Sequence, residues 1–251
     1  MRVRALALLV ALAAPGVADA AEITVLCARD MQHLVAAAAD EFQRAAGHQV
    51  WLSYGTADGV VQRARTEAAD VVIGRAAAVT ELEREGAIRA GATIVLGRVA
   101  VGVGVRAGMR APDITSSAKL RRAILLATSL GYVDPNRDAV GRHVGDVLDG
   151  IGIAPLVGLK TTLFPDGPRA LAALVRGEIA LVLGAVSEIR AVEGVVLAGP
   201  LPAPHQSTHV YTAAVLTRSP AADAARAFLE HLASADVRTR FAAGGVESAE
   251  R

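Results

Sequence analysis

Residues Ile23 to Val50 constrain the fold more than any other stretch of the chain. Ile23-Thr24-Val25-Leu26-Cys27 is a short run of β-formers, broken by Arg29-Asp30, after which apolar residues recur at Met31, Leu34, Val35, Ala38, Ala39 and Phe42. The first pattern describes a buried strand and the second one face of an amphipathic helix. Gly47 supplies the helix stop, and Val50-Trp51-Leu52 opens a second strand. A strand, a covering helix and a parallel partner strand make a βαβ unit. In open α/β sheets, ligands collect beyond the carboxyl ends of the strands, where helix N-termini present free N–H groups. The turn at Ala28, Arg29 and Met31 is therefore expected to wall a binding cleft.

The N-terminus predicts export. Arg2 and Arg4 precede an apolar run from Ala5 to Ala14, and Ala18-Asp19-Ala20 has the A-x-A form of a cleavage site. Residues 1–20 read as a secretory signal peptide cut after Ala20, which places a bacterial chain in the periplasm. No later segment is apolar for long enough to span a bilayer. Cys27, the single cysteine, lies on a strand beyond the cleavage site, so it reads as a small buried hydrophobe and not as a lipid anchor. Loss of Arg2, Arg4 and Asp19 reduces 26 basic and 25 acidic residues to 24 of each. That balance argues against nucleic acid or an anionic membrane as partner. Roughly 230 remaining residues exceed the usual single-domain length, so two lobes are expected.

The opening pattern then repeats. Trp51 to Tyr54 runs into a turn at Gly55-Thr56-Ala57-Asp58-Gly59 that feeds a helix, and Asp70 to Ile73 is a strand ending at Gly74-Arg75. A short helix over Val79–Glu85 follows, and Arg98 to Val105 reads as a strand leading out of the first lobe. Beyond the N-cap signal Thr115-Ser116-Ser117, both Ile124-Leu125-Leu126 and Leu130 to Val133 look strand-like, and Asp134-Pro135-Asn136 marks a turn. Helices are expected over Val140–Leu148 and Arg169–Arg176, with a buried strand at Ile179–Leu183. A late strand at Val210–Val215 carries the chain back, and helices at Ala221–Leu232 and Asp236–Ala242 close it. The expected architecture is α/β and two-lobed, each lobe a mostly parallel sheet flanked by helices, with two crossing strands between them. Residues 21–104 and 208–251 would form the first lobe and 105–207 the second.

Several tempting motifs fail. Gly102-x-Gly104-x-x-x-Gly108 misses the dinucleotide spacing. His205 and His209 are four apart, but Pro202 and Pro204 put them in a loop, where that spacing aligns nothing for zinc. Cys27 and His33 fall on separate elements without a third orienting group. No G-x-S-x-G elbow and no histidine cluster occurs. No catalytic residue, metal or cofactor is assigned.

The order of segments resembles the periplasmic solute-binding proteins of ABC importers, closest to their molybdate-binding branch. Ile23–Leu34 is similar to that branch's first strand and A-A-S-L-T turn, and Ser53-Tyr54-Gly55-Thr56-Ala57 to its second turn. Ala69 to Ile73 resembles its A-D-V-F-I strand, Asp134-Pro135 with Gly141 its D-P…A-G segment, and Val175 to Glu178 its V-x-x-G-E helix end. Phe241 to Gly245 resembles its C-terminal helix. The resemblance implies the two-lobed fold, a small anionic solute between the lobes, and a membrane permease with its ATPase as partners to a monomer. A secreted enzyme acting on a small anion, and the binding module of a sensor, are the alternatives.

The departures bear on the ligand. Where the molybdate binders offer a serine in each of the first two turns, this sequence has Arg29 and Ala57, with Thr56 the nearby hydroxyl. The tyrosine after their G-I-V strand corresponds to Ala185, and Pro168 removes an N–H, although Gly167 keeps one. An arginine in place of a serine adds a planar fork suited to carboxylates. Arg75 at a strand end and Arg98 near the lobe crossing could reach the same space, and an anion with more than one carboxylate would suit all three. Asn136 and Ser187 complete the candidate set, although turn-shaping and helix-capping explain them as well.

Overall fold

A computed structural model describes residues 20–249. The expected signal peptide, apart from Ala20, lies outside them. Among the described residues no helix is long and apolar enough to cross a membrane.

The opening unit forms as its pattern requires. Strand β1 (Glu22–Ala28) leads through a 3-10 turn at Arg29–Met31 into α1 (Gln32–Ala46), which buries Val35, Ala38, Ala39 and Phe42. Gly47 ends α1 in the left-handed region at φ 72°, where a side chain would be strained. Strand β2 (Gln49–Gly55) then pairs parallel to β1 from Glu22–Gln49 to Ala28–Gly55. Thr56 caps α2 (Ala57–Arg63), β3 (Val71–Arg75) pairs parallel to the other edge of β1, and α3 (Ala76–Arg84) follows.

Strand β4 (Ile88–Arg106) begins ten residues before the stretch that the sequence marked, because register shifts near Gly97 keep one long strand paired despite its irregular burial. Next come α4 (Ser117–Leu126), β5 (Leu130–Val133), α5 (Ala139–Gly150), α6 (Ala154–Val157) and β6 (Thr161–Phe164). They are followed by α7 (Gly167–Arg176), β7 (Leu181–Ala185), α8 (Val186–Ala191) and β8 (Val195–Pro200). The chain returns along β9 (Thr208–Leu216) and ends with α9 (Ala222–Leu232), α10 (Ala235–Ala243) and β10 (Val246–Glu247).

The sheet runs β2-β1-β3-β9-β4-β7-β5-β6, with β8 and β10 also paired to β4. Strands β1, β2 and β3 are parallel on one side, and β5, β6 and β7 on the other. The antiparallel pair β4 and β9 joins the two sides, side by side from Ile88–Leu216 to Ala100–Thr208. Buried residues form one core from Ile23 to Val99 and Tyr211 to Val246, joined by Ala185 of β7, and two on the other side, a larger one between Val101 and Leu201 and a smaller one around α7 from Ala170 to Ile189.

Two local expectations are corrected. Ile124-Leu125-Leu126 is the last turn of α4, capped by Ser116, and buries Leu120 and Ile124 on one face, four residues apart. His209 is not in a loop: it stands on β9, half-buried, while His205 ends a 3-10 turn and its ring contacts the Ser117 hydroxyl at 2.8 Å. Burial, then the Arg75 charge, lowers the proton affinity of His209, whose buried Nε2 has no hydrogen-bond partner.

One glycine fixes how α5 meets the sheet. A Cβ on Gly141 would overlap the carbonyl oxygen of Val133 and lie 2.8 Å from its carbon. Backbone cannot give way as a side chain can, so Gly141→Ala is expected to cost about 1–3 kcal/mol or more. Chemical denaturation will show a lower midpoint than wild type; an unchanged midpoint would mean that α5 is not seated this closely.

Candidate functional site

A narrow cavity lies where the carboxyl ends of the parallel strands from both sides face each other. Arg29 and Asp30 follow β1, Thr56 follows β2, and Val133 ends β5. Asp138 and Asp166 cap α5 and α7 at their N-termini, Gly167 opens α7, and Ala185 and Glu188 come from the end of β7 and from α8. The cavity holds about 20 Å³, room for one water, so the two halves are closed on one another and a solute must part them to enter. A wider depression of about 440 Å³ beside α5 and α6 is open to solvent, and its charged residues Arg142, Asp146 and Asp149 are exposed.

Of the residues singled out from sequence, Arg29, Thr56 and Gly167 line this cavity. The Arg29 Nε is buried, with no hydrogen-bond partner among the described residues. Thr56 spends its hydroxyl oxygen on the Gly59 N–H at 3.2 Å as the cap of α2, while still facing the cleft. The others sit elsewhere. Met31 is fully buried, and Ala28 and Ala57 join the same core. Arg75 is held by the Asp58 carboxylate, with Nε 3.0 Å from Oδ1. Arg98 donates to the Ser248 carbonyl oxygen at 3.0 Å. Asn136 is exposed and donates its backbone N–H to Asp134 at 2.9 Å, shaping the turn. Ser187 is buried, and its hydroxyl donates to the Asp30 carbonyl oxygen at 2.6 Å, tying α8 to the turn after β1.

Sequence reasoning missed the acids. Asp30, Asp138 and Glu188 are buried and line the cavity together with Asp166. The Tyr211 hydroxyl, fully buried on β9, donates to Asp30 Oδ2. Burial, followed by the Asp138 charge, pushes the Asp30 carboxyl up to about 6 from its ordinary 3.8, against the pull of the Tyr211 hydrogen bond. Burial, then Asp30 and Asp138, lifts Glu188 well above the usual carboxylate range, with Arg29 opposing. Glu188 makes no hydrogen bond or ion pair among the described residues; its carboxyl fills the space that a Cβ on Gly167 would need. Asp30 falls in the turn after an expected strand, a position at which the ligand rule already pointed. Nothing local marked Glu188.

The match to the model of bacterial extracellular solute-binding proteins runs over residues 23–247, nearly all of the described chain. The chain belongs to this family. Membership of this family implies a solute as ligand. Its fold matches the Azotobacter vinelandii periplasmic molybdate-binding protein with a TM-score of 0.76 at 16% identity, over 91% of this chain and all of that one. A sulfate-binding protein of Mycobacterium tuberculosis matches with a TM-score of 0.67 at 19% identity, over 92% of this chain and 88% of that one. At such identities the likeness is one of fold. The solute-binding protein is also 27% identical to an aconitate isomerase of a Pseudomonas species, over 85% of this chain and 83% of that one.

Proposed function

We propose that the protein binds a small polycarboxylate between its lobes, residues 21–104 with 208–251 and residues 105–207, and delivers it to a membrane permease. The observation that carries this reading is Arg29: a guanidinium at the mouth of a closed cleft, its Nε shielded from water and unpaired. A buried unpaired donor of that kind is costly until an acceptor reaches it, and a carboxylate fits its fork. Gly167 adds the N-terminus of α7, worth about 0.3–1 kcal/mol for an anion. Aconitate, the substrate in the relative's name, is a tricarboxylate, which agrees with this ligand class.

Closure is a hinge motion about β4 and β9, favoured by contacts that exist only when both lobes touch the solute. A thermal-shift screen of the protein without residues 1–20 tests the reading against molybdate, tungstate, sulfate, and di- and tricarboxylates. At about a thousandfold excess over its dissociation constant, the cognate ligand adds about 4 kcal/mol of stability. Stabilisation by molybdate or sulfate alone overturns the carboxylate assignment. A second reading, that the cleft also converts its ligand, is favoured by the two buried acids, Asp30 and Glu188, that line it and agrees with the isomerase name of the relative.

A further inference from the structure

Solute capture alone gives Asp30 and Glu188 no reason to be where they are. A receptor for anions gains by lining its cleft with neutral donors and arginine, yet this one buries two carboxyls that face one small cavity. Asp30 is fixed at two points: Tyr211 donates to its Oδ2, and Ser187 donates to its backbone carbonyl oxygen at 2.6 Å. Glu188 follows Ser187 directly, so the same contact sets the two carboxyls on adjoining turns. Arg29, next in sequence to Asp30, lines the same cavity, and its Nε has no hydrogen-bond partner among the described residues.

We propose that Asp30 and Glu188 are a proton-transfer pair that moves the double bond of an unsaturated polycarboxylate bound at Arg29. The proposal rests on the polycarboxylate reading of the cleft. Asp30, ionised, takes a proton from the saturated carbon beside a ligand carboxylate. The C–H electron pair becomes the new C=C bond. The electrons of the old double bond take a proton at their far carbon from the neutral Glu188 carboxyl. Asp30 is left neutral and Glu188 ionised, and one proton passed from Asp30 to Glu188, directly or through water, restores the start. Atoms and charge balance with no oxidant, reductant or further reactant. Arg29 holds the carboxylate into which negative charge spreads as the C–H bond breaks, which is where a fixed cation lowers the barrier.

The protonation states suit these roles. Asp30 at about 6 is mostly ionised at neutral pH yet a stronger base than an ordinary aspartate, and Glu188 stays protonated. Burial and Asp138 oppose ionisation of Asp30, which Tyr211 and Arg75 favour; burial, Asp30, Asp138 and Asp166 keep the proton on Glu188, against Arg29. Tyr211 is a positioning residue, since it acts through Asp30.

The test follows the cis and trans isomers of propene-1,2,3-tricarboxylate by proton NMR in D2O, using the protein without residues 1–20. Wild type is expected to convert one isomer into the other and to place solvent deuterium in the product. Asp30→Asn and Glu188→Gln are each expected to slow this at least about a hundredfold, the scale of a lost general acid or base. Both should still be stabilised by the ligand in thermal shift, which shows that they fold and bind. Tyr211→Phe should move the acid limb of the pH–rate profile upward, an effect that loss of packing would not produce. Ligand-induced stabilisation of wild type with neither isomerisation nor deuterium uptake overturns the proton-transfer pair and leaves the binding reading intact. Indifference to every carboxylate overturns both.

Discussion

Arg29→Ser is expected to weaken polycarboxylate binding by about ten- to a hundredfold, the effect of losing a charge-assisted hydrogen bond of about 1.5–3 kcal/mol. The substitution restores the residue type that the molybdate-binding motif carries in this turn. It removes a guanidinium whose Nε has no hydrogen-bond partner among the described residues, so no such bond to that nitrogen is lost with it. The folded state should be affected little, because Arg29 is half-buried on a short 3-10 turn and outside the core. Titration calorimetry separates binding from folding in the same sample. Equal affinity in variant and wild type would take Arg29 out of the site.

Glu188→Gln should make the protein more stable at pH 8, by several degrees in melting temperature, and leave it unchanged near pH 4. Glu188 and Asp30 both bind protons more tightly when folded than when unfolded. At a pH below their unfolded values, about 4, both states are protonated and burial carries no penalty. As pH rises, the unfolded chain releases its protons first, and stability falls until the folded groups ionise too. For Asp30, the move from 3.8 to about 6 corresponds to roughly 3 kcal/mol lost between those values. In a chain of this size each kcal/mol is worth about 2–4 °C. For Glu188 the loss starts at its ordinary 4.5 and continues upward. Melting curves from pH 4 to 8 check this, and a variant no more stable than wild type at pH 8 would show that the Glu188 carboxyl is not buried without compensation. A stabilised variant that no longer moves protons would be the trade-off expected where a site holds strained groups for function.

Much of the scaffold was legible because its signals are local. The alternation from apolar run to polar turn to 3.6-residue period fixed β1, the turn at Arg29 and α1, and Gly47 fixed where α1 stops. The rule that ligands gather at the carboxyl ends of parallel strands placed Arg29, Thr56 and Gly167 on the cleft. Reading failed where a short apolar run fits two periods: Ile124 to Leu126 continues the face begun by Leu120, which only the packing of α4 reveals. Proline spacing likewise misplaced His209, because β9 starts within a few residues of Pro204.

By itself, then, the order of residues determined most of the strands and helices, gave the expectation that a solute gathers beyond the strand ends, and put an arginine in the first turn. Only tertiary structure decided which acids share the cleft. Asp30, Asp138, Asp166, Glu188 and Tyr211 come from five separate elements, brought together because the paired strands β4 and β9 connect the two sides of the sheet. Whether a carboxyl is buried depends on what packs over it, and no neighbour in sequence carries that information. The same glutamate on an exposed helix would be an ordinary surface charge; under the start of α7, beside Gly167, burial and the nearby Asp30 and Asp138 outweigh Arg29 and tighten its hold on the proton.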